Sequence, residues 1–466
     1  MADCITLVLN GSPVTLPPGT SPTMTLLDWL RGPAGLTGTK EGCAEGDCGA
    51  CTVVLEGADG TRAPINACLA MLGQVHGLAV RTVEGLRGAE GGPHPVQRLL
   101  AESDATQCGF CTPGITMSAW AHARQGGPGG SSVHEALAGN LCRCTGYRPI
   151  IEAFSRLQDD GAAPPALPAP ASAVFEAPGQ VFFRPAGLQD LLALRAANPG
   201  ALLLAGGTDL GLLASEHRQR PPAVIGLLGV PELQALSADA AGLTIGAAVP
   251  YARLLPLLDG PLAPLGAMLT RLGSRQIRAL GSIGGNLGTA SPIGDMLPPL
   301  LALGATLRIA SLRGERDSGV EDFLLGYRKT TLAPDEVILS IRLPRPPEGA
   351  VLACEKVSKR HDQDISAVSG AFLVRVEAGR IAEARLAFGG MGPMAARARA
   401  AEAMLTRALM APASFADAAD ELAKDFAPLS DWRGSAAYRL AAAQGLLRRL
   451  YWRVARPDLP AEVHAL

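Results

Sequence analysis

The sequence predicts an α+β chain of several domains, and three observations lead there. Eight of the ten cysteines crowd into residues 43–144, in two groups of four. Residues 159–178, DDGAAPPALPAPASAVFEAP, are rich in Pro and Ala, lack a helical or strand period and read as a linker. Beyond them, two glycine-rich stretches follow apolar runs, LLLAGGTDLG at 202–211 and GSIGGNLGTASPIGD at 281–295. A chain of 466 residues has room for about two to four domains with cores of their own.

Composition narrows the function classes. Hydrophobic residues make up 48%, charged residues 18%, and the formal net charge is −2. This balance excludes a basic nucleic-acid binder and a disordered chain. No stretch is apolar for long enough to span a membrane. The opening MADCITLVLNGSPVTL lacks the charged and long apolar regions of a signal peptide. The expectation is a cytoplasmic chain that meets neither membrane nor nucleic acid, in a compartment where disulfides are rare.

The elements follow in order. ITLVLNGSPVTL reads as a hairpin turning at Asn10-Gly11. TMTLLDWLR reads as a short amphipathic helix and TVVLE as a strand. The first cysteine group is Cys43, Cys48 and Cys51, between these last two, with Cys68 beyond the strand, spaced C-x4-C-x2-C-x16-C. That spacing matches the plant-type [2Fe–2S] ferredoxin run, in which four thiolates hold two irons. Gly42, Gly46 and Gly49 let backbone amides approach the sulfurs. Hairpin, helix, cluster loop and strand are the order of a ferredoxin-like β-grasp domain.

The second group, Cys108, Cys111, Cys142 and Cys144, is spaced C-x2-C-x30-C-x-C on helical sequence. In QCGFCTPGITMSAWAHAR, Thr112 is the expected N-cap and Pro113 the first helical residue. In SSVHEALAGN, Ser132 and Glu135 form a capping box ahead of LCRCTGYRPI. The expectation is a small helical bundle with a cysteine pair at each of two helix ends. Zinc and disulfides are the competing readings, but structural zinc sites favour two C-x2–4-C pairs. Cys4, in an expected strand, and Cys354 read as small buried hydrophobes.

Together, EGCAEGDCGACTV, NAC, QCGFCTPG and GNLCRCTGYRPI resemble the iron–sulfur region of the molybdenum hydroxylases, a family that includes xanthine dehydrogenases, aldehyde oxidases and carbon monoxide dehydrogenases. The resemblance implies that Cys43, Cys48, Cys51 and Cys68 hold the cluster nearer a flavin. It implies that Cys108, Cys111, Cys142 and Cys144 hold the cluster nearer a molybdenum cofactor. Gln107 then takes a position that contacts the pterin of that cofactor.

Neither glycine-rich stretch is a Rossmann fingerprint, and alone each is as well read as a plain turn. Both resemble the FAD-binding loops of the same family. The first implicates Leu203, Leu204, Ala205, Gly206, Gly207, Thr208, Asp209 and Leu210, with GGTD at the pyrophosphate. The second implicates Ser282, Ile283, Gly284, Gly285 and Asn286. By the same likeness Asp295 binds the nucleotide part of FAD, Ile338 lines the flavin and Lys356 lies near its ring. Without the likeness, Lys356 reads as a surface lysine. Many relatives carry Phe fourteen residues before the Asn of SIGGN, where this chain has Leu272.

The resemblance implies a ferredoxin-like [2Fe–2S] domain at 1–78 and a helical [2Fe–2S] domain at 79–158. It implies a linker at 159–178, an FAD-binding α+β domain of the vanillyl-alcohol-oxidase/PCMH type at 179–347, and a C-terminal α+β domain at 348–458. The family's substrate reaction needs a further molybdenum-binding domain, for which this sequence has no room. The expectation is therefore the small, electron-transferring chain of a bacterial two-subunit xanthine dehydrogenase. It implies a molybdenum-binding large subunit as partner in an (αβ)2 heterotetramer, and NAD⁺ as acceptor. Aldehyde or other N-heterocycle hydroxylases are the alternative, since the partner sets the substrate. No catalytic acid, base or nucleophile is expected in this chain.

Overall fold

The computed structural model describes residues 3–87, 91–125 and 132–458. They form two compact units. The first contains the chain up to Leu233 together with Pro250–Ala252 and Gly273–Ser282. The second contains Gln234–Val249, Arg253–Leu272 and the chain from Ile283 onward. Among the described residues no helix is long and apolar enough to cross a membrane.

The first unit opens with a five-stranded sheet, ordered Ser12–Thr15, Thr6–Leu9, Ala79–Arg81, Thr52–Glu56, Arg62–Asn66. The expected hairpin pairs Leu9 with Ser12. Asn10 and Gly11 take φ of 52° and 86°, the left-handed pair a two-residue turn requires. Ala79–Arg81 pairs parallel to Thr6–Leu9, so the sheet continues past residue 78. The helix Leu26–Arg31 is capped by Thr25, whose hydroxyl accepts from the Asp28 amide. It buries Leu26, Leu27, Trp29 and Leu30 in the core with Val53, Ile65 and Val80 of the sheet. This is the β-grasp arrangement. Cys4 lies ahead of the first strand rather than within it, and is half-buried.

A helical domain follows, with helices Pro95–Glu102, Thr112–Gln125, Val133–Leu137 and Arg148–Phe154. Ile115, Trp120, Leu137, Ile150 and Phe154 form its core. Thr112 is the first helical residue, not the cap. Its hydroxyl meets that of Thr106 at 2.7 Å, and the Cys111 carbonyl accepts from the Ile115 amide. Ser132 caps as expected, accepting from the Glu135 amide at 3.1 Å. The Glu135 carboxylate ion-pairs with Arg278 at 3.1 Å.

No element lies between Phe154 and Ala173, and the start of that stretch is anchored. Arg62, 2% exposed, pairs with Asp159 and Asp160, and its guanidinium sits 3.6 Å over the Trp120 ring. The strand Ala173–Ala177 occupies the last part of residues 159–178, because Ala173 and Phe175 turn into the core. It begins a four-stranded sheet continued by Gln180–Arg184, Ala223–Gly226 and Leu202–Leu204.

The second unit holds a five-stranded sheet ordered Leu236–Asp239, Gly242–Gly246, Val337–Pro344, Thr306–Ser311, Gly314–Gly319. It then forms a four-stranded antiparallel sheet from Ala350–Val357, Val368–Glu377, Arg380–Gly389 and Ala396–Arg397. Helices Arg399–Leu405, Pro412–Asp425 and Ala436–Ala455 share a core with that sheet through Phe372, Phe388, Phe415, Leu422 and Leu447. Cys354, on the first of these strands, is half-buried opposite Ala371.

Candidate functional site

Cys43, Cys48 and Cys51 line one loop, and Cys68 approaches them from beyond the next hairpin. The Cys51 and Cys68 sulfurs lie 3.3 Å apart. Amides aim at the group: Glu45 and Cys48 N–H donate to the Cys43 sulfur at 3.4 and 3.3 Å. The glycines are needed for space. A Cβ on Gly42 would sit 2.7 Å from the Cys48 sulfur, and Gly46 and Gly49 hold φ of 87° and 67°.

The eight thiols fall into pairs. Each thiol shifts the ionisation of one partner: Cys43 and Cys48, Cys51 and Cys68, Cys108 and Cys144, Cys111 and Cys142. In each pair one sulfur is favoured as the thiolate. The Cys48 contact and nearby amides bring the Cys43 pKa down to about 4, against burial, while Cys48 is raised. The Cys68 contact likewise holds Cys51 down. Cys108 is lowered, first by the Phe110 amide, then by Cys144. Burial pushes Cys142 up, but the Thr145 hydroxyl and amide, Cys111 and the Cys144 amide together bring it down, while burial pushes Cys111 up to about 12. Among the described residues no three His, Cys, Asp or Glu side chains converge on a single metal position. Thiols in twos, with amides directed at them, fit a two-iron cluster that takes two thiolates per iron.

The two groups differ in exposure. Cys51 and Cys68 are buried and Cys43 and Cys48 half-buried, while Cys108 and Cys144 are exposed. Gln107 is exposed beside Cys108. Phe110 and Leu141, large apolar residues flanking the second group, are 49% and 47% exposed.

The two cysteine loops touch. The Leu141 amide donates to the Cys48 carbonyl at 2.9 Å, and the Asn140 amide nitrogen donates to the Gly49 carbonyl at 3.0 Å. A Cβ on Gly49 would lie 1.9 Å from the Gly139 oxygen. Gln276 reaches the same place, with Nε2 3.1 Å from both Thr52 Oγ1 and Asn140 Oδ1. The sequence reading passed over Gln276, Asn140, Thr52 and Ser118.

The expected flavin-loop residues divide between the units. In the first, Leu203 and Leu204 end a strand, and Ala205 to Leu210 form the turn before the helix Gly211–Ser215. A Cβ on Gly206 would lie 1.9 Å from the Leu280 oxygen, so the two glycine-rich stretches pack backbone to backbone just ahead of Ser282. Gly207 needs its φ of 74°. In the second unit, Ile283, Gly284, Gly285 and Asn286 open the helix Ile283–Thr289, which packs on the strand carrying the buried Ile338. Gly284 admits no Cβ, because the Ala247 oxygen would be 2.3 Å away. Asn286 Oδ1 is buried with no hydrogen-bond partner among the described residues, as befits an acceptor kept for a ligand.

Lys356 is buried rather than on the surface, because its Nζ lies 2.6 Å from Asp295 Oδ2. Ser366 donates to the other oxygen of Asp295 at 2.5 Å. Leu272 is half-buried, and the adjacent Arg271 donates to the Lys356 carbonyl at 3.1 Å.

Four family models match the chain in order. They are a 2Fe-2S iron-sulfur cluster binding domain at 7–72 and a [2Fe-2S] binding domain at 82–155. An FAD binding domain in molybdopterin dehydrogenase follows at 174–346, then a CO dehydrogenase flavoprotein C-terminal domain at 353–454. The xanthine dehydrogenase of Emericella nidulans is 35% identical along 96% of this chain and 38% of its own length. The xanthine dehydrogenase/oxidase of Rattus norvegicus is 34% identical along 84% of the chain and 34% of its own. The chain thus spans little more than a third of these relatives. Two solved structures share the fold over part of it. A chain of carbon monoxide dehydrogenase from Hydrogenophaga pseudoflava has a TM-score of 0.55 and 28% identity, over 57% of this chain and 94% of its own. A chain of quinoline 2-oxidoreductase from Pseudomonas putida 86 has the same score and identity, over 59% of this chain and 97% of its own. Paired thiols, packed glycine turns and four domain matches in one order together place this chain in the molybdenum hydroxylase family, of which it carries the iron–sulfur and flavin domains.

Proposed function

We propose that this chain is the electron-transferring subunit of a xanthine dehydrogenase, working in the cytoplasm with a molybdenum-binding partner in an (αβ)2 assembly and delivering electrons to NAD⁺. One observation carries the choice of substrate. The xanthine dehydrogenase of Emericella nidulans aligns along 96% of this chain, through the iron–sulfur and flavin regions alike. The matched chains of carbon monoxide dehydrogenase and quinoline 2-oxidoreductase cover 57% and 59% of it.

When bound, the clusters carry single electrons and FAD collects two and releases them as a hydride. The chain's own residues ligate, space and shield these groups. Cys108, Cys111, Cys142 and Cys144 hold one cluster near the surface, and Gln107, Phe110 and Leu141 rim it as the face for the molybdenum-binding partner. Cys43, Cys48, Cys51 and Cys68 hold the inner cluster. Residues 203–210, Ser282 to Asn286, Asp295, Ile338 and Lys356 bind FAD, with Lys356 held in place by its ion pair to Asp295.

The test is anaerobic addition of xanthine to the complex purified through a tag on this chain, with visible absorption recorded before and after NAD⁺. Bleaching by xanthine and recovery on NAD⁺ is the expected result. Bleaching by dithionite but not xanthine would reject xanthine and move the substrate to another N-heterocycle or an aldehyde.

A further inference from the structure

We propose that Gln276 is a positioning residue for electron passage between the two cluster sites: it fixes the separation of the loops that hold them. The proposal rests on the reading that both cysteine groups hold [2Fe–2S] clusters.

Gln276 lies in the short helix Arg275–Arg278, some 130 residues beyond the last cluster cysteine in the chain, yet it is 1% exposed within the cluster region of the first unit. Its Nε2 faces four acceptors: Thr52 Oγ1 and Asn140 Oδ1 at 3.1 Å, the Gly139 carbonyl at 3.3 Å and Ser118 Oγ at 3.4 Å. Thr52 follows Cys51. Gly139 and Asn140 precede Cys142. Ser118 is on the helix that begins just after Cys111. One amide therefore fastens to both ligand sets.

The partners are themselves joined. Ser118 donates to Asn140 Oδ1 at 2.6 Å, and Asn140 donates to the Gly49 carbonyl at 3.0 Å. The result is a continuous connection between the ligand sets. It runs from Cys48 through its carbonyl and one hydrogen bond to the Leu141 amide, and then to Cys142 by the backbone. Apolar packing would fill this space without fixing the register of two loops. Hydrogen bonds are directional and do fix it. Two further contacts hold the short helix in place. Arg278, 2% exposed, pairs with Glu135 at 3.1 Å, and Ile277 lies against Gly46, where an added Cβ would be 3.3 Å from its Cδ1.

The step concerned is a one-electron oxidation of one cluster matched by a one-electron reduction of the other. No bond forms or breaks and no proton moves. Its rate depends steeply on distance and on the connecting atoms, so a residue that touches neither cluster can govern it.

The test is Gln276→Leu in the full chain purified with its clusters. After dithionite reduction, low-temperature EPR reads the splitting from magnetic interaction between the clusters. Pulse radiolysis reads how fast an injected electron redistributes between them. The expected result keeps both cluster signals and full iron content, diminishes the splitting, and slows redistribution on the order of tenfold, in line with the steep dependence of such steps on placement. Unchanged splitting and rate overturn the proposal. Should Gln276→Leu lose iron, Thr52→Val, which removes a hydroxyl at constant shape, is read by the same two criteria. An unaltered chain without two distinct cluster signals would instead overturn the cluster reading on which the proposal rests.

Discussion

The ammonium of Lys356 and the carboxylate of Asp295 meet at 2.6 Å, with side chains 2% and 7% exposed. Neither charge is tolerable there alone, since a buried ion needs a partner. Lys356→Met should lower stability by about 3–5 kcal/mol in urea unfolding, because it strands the carboxylate. Lys356→Met combined with Asp295→Leu should recover much of that loss. A double variant as unstable as the single one would contradict the pairing.

Gly114 and Gly445 are both helical, yet alanine should act oppositely at the two. A Cβ on Gly114 would lie 2.2 Å from the Gly49 carbonyl, whereas nothing lies within 4 Å of one on Gly445. Gly114→Ala should cost about 1–3 kcal/mol and some iron, through overpacking between the cluster loops. Gly445→Ala should gain about 0.5–1 kcal/mol from helix propensity. Thermal unfolding and iron content read both.

Asp160 ties acid stability to the linker. Burial pushes its carboxyl up. Hydrogen bonds from Arg62, Trp120 and the Ala162 amide, with the Arg62 charge, outweigh burial and hold it well below the usual carboxylate range. A depressed carboxyl contributes stability fully above its unfolded pKa of about 3.9 and loses it as pH falls from there towards the folded value. Asp160→Asn should therefore cost about 1 kcal/mol at pH 7, a figure reduced for solvent screening. The deficit should hold to pH 5 and shrink as pH falls below about 4, as followed by urea unfolding. A deficit that grows in acid would reverse the sign argued here.

Gln107→Ala should leave the iron and FAD content of the chain unchanged. Turnover of the assembled complex should fall on the order of tenfold, as when a residue that supports a cofactor is lost. Unaltered turnover would remove Gln107 from the partner-facing site.

The parts of the fold visible in the sequence are those written in short-range pattern. Asn10-Gly11 announces its turn because few other pairs accept that backbone. The eight cysteines announce two sites because cluster chemistry demands their number and spacing. What stayed hidden depends on side-chain contacts outside any repeating pattern, most of them between distant segments. Thr112 looked like a cap until Thr106 engaged its hydroxyl. Lys356 reads as a surface residue on its local sequence alone, and only Asp295, 61 positions earlier, accounts for its burial. Gln276 carries no local signal at all, since RQIR repeats no period and belongs to no motif. Glycines were legible as necessary, but not for their reason. Gly49 and Gly206 are required by neighbouring backbone at 1.9 Å.

The hydrogen bond from Gln276 to Thr52 also sets a timetable for biosynthesis. The loop bearing Cys43, Cys48 and Cys51 leaves the ribosome early, but its polar partner is 224 residues behind. At about 5–20 residues per second, that delay is roughly ten to fifty seconds. During it the nascent loop has its thiols in place and can bond to Asn140 and Leu141, but its bond to Gln276 is unmade. The last polar contact joining the two cysteine loops is therefore made only after that interval. Once Gln276 is seated, one amide joins the segment after Cys51 to the segment before Cys142.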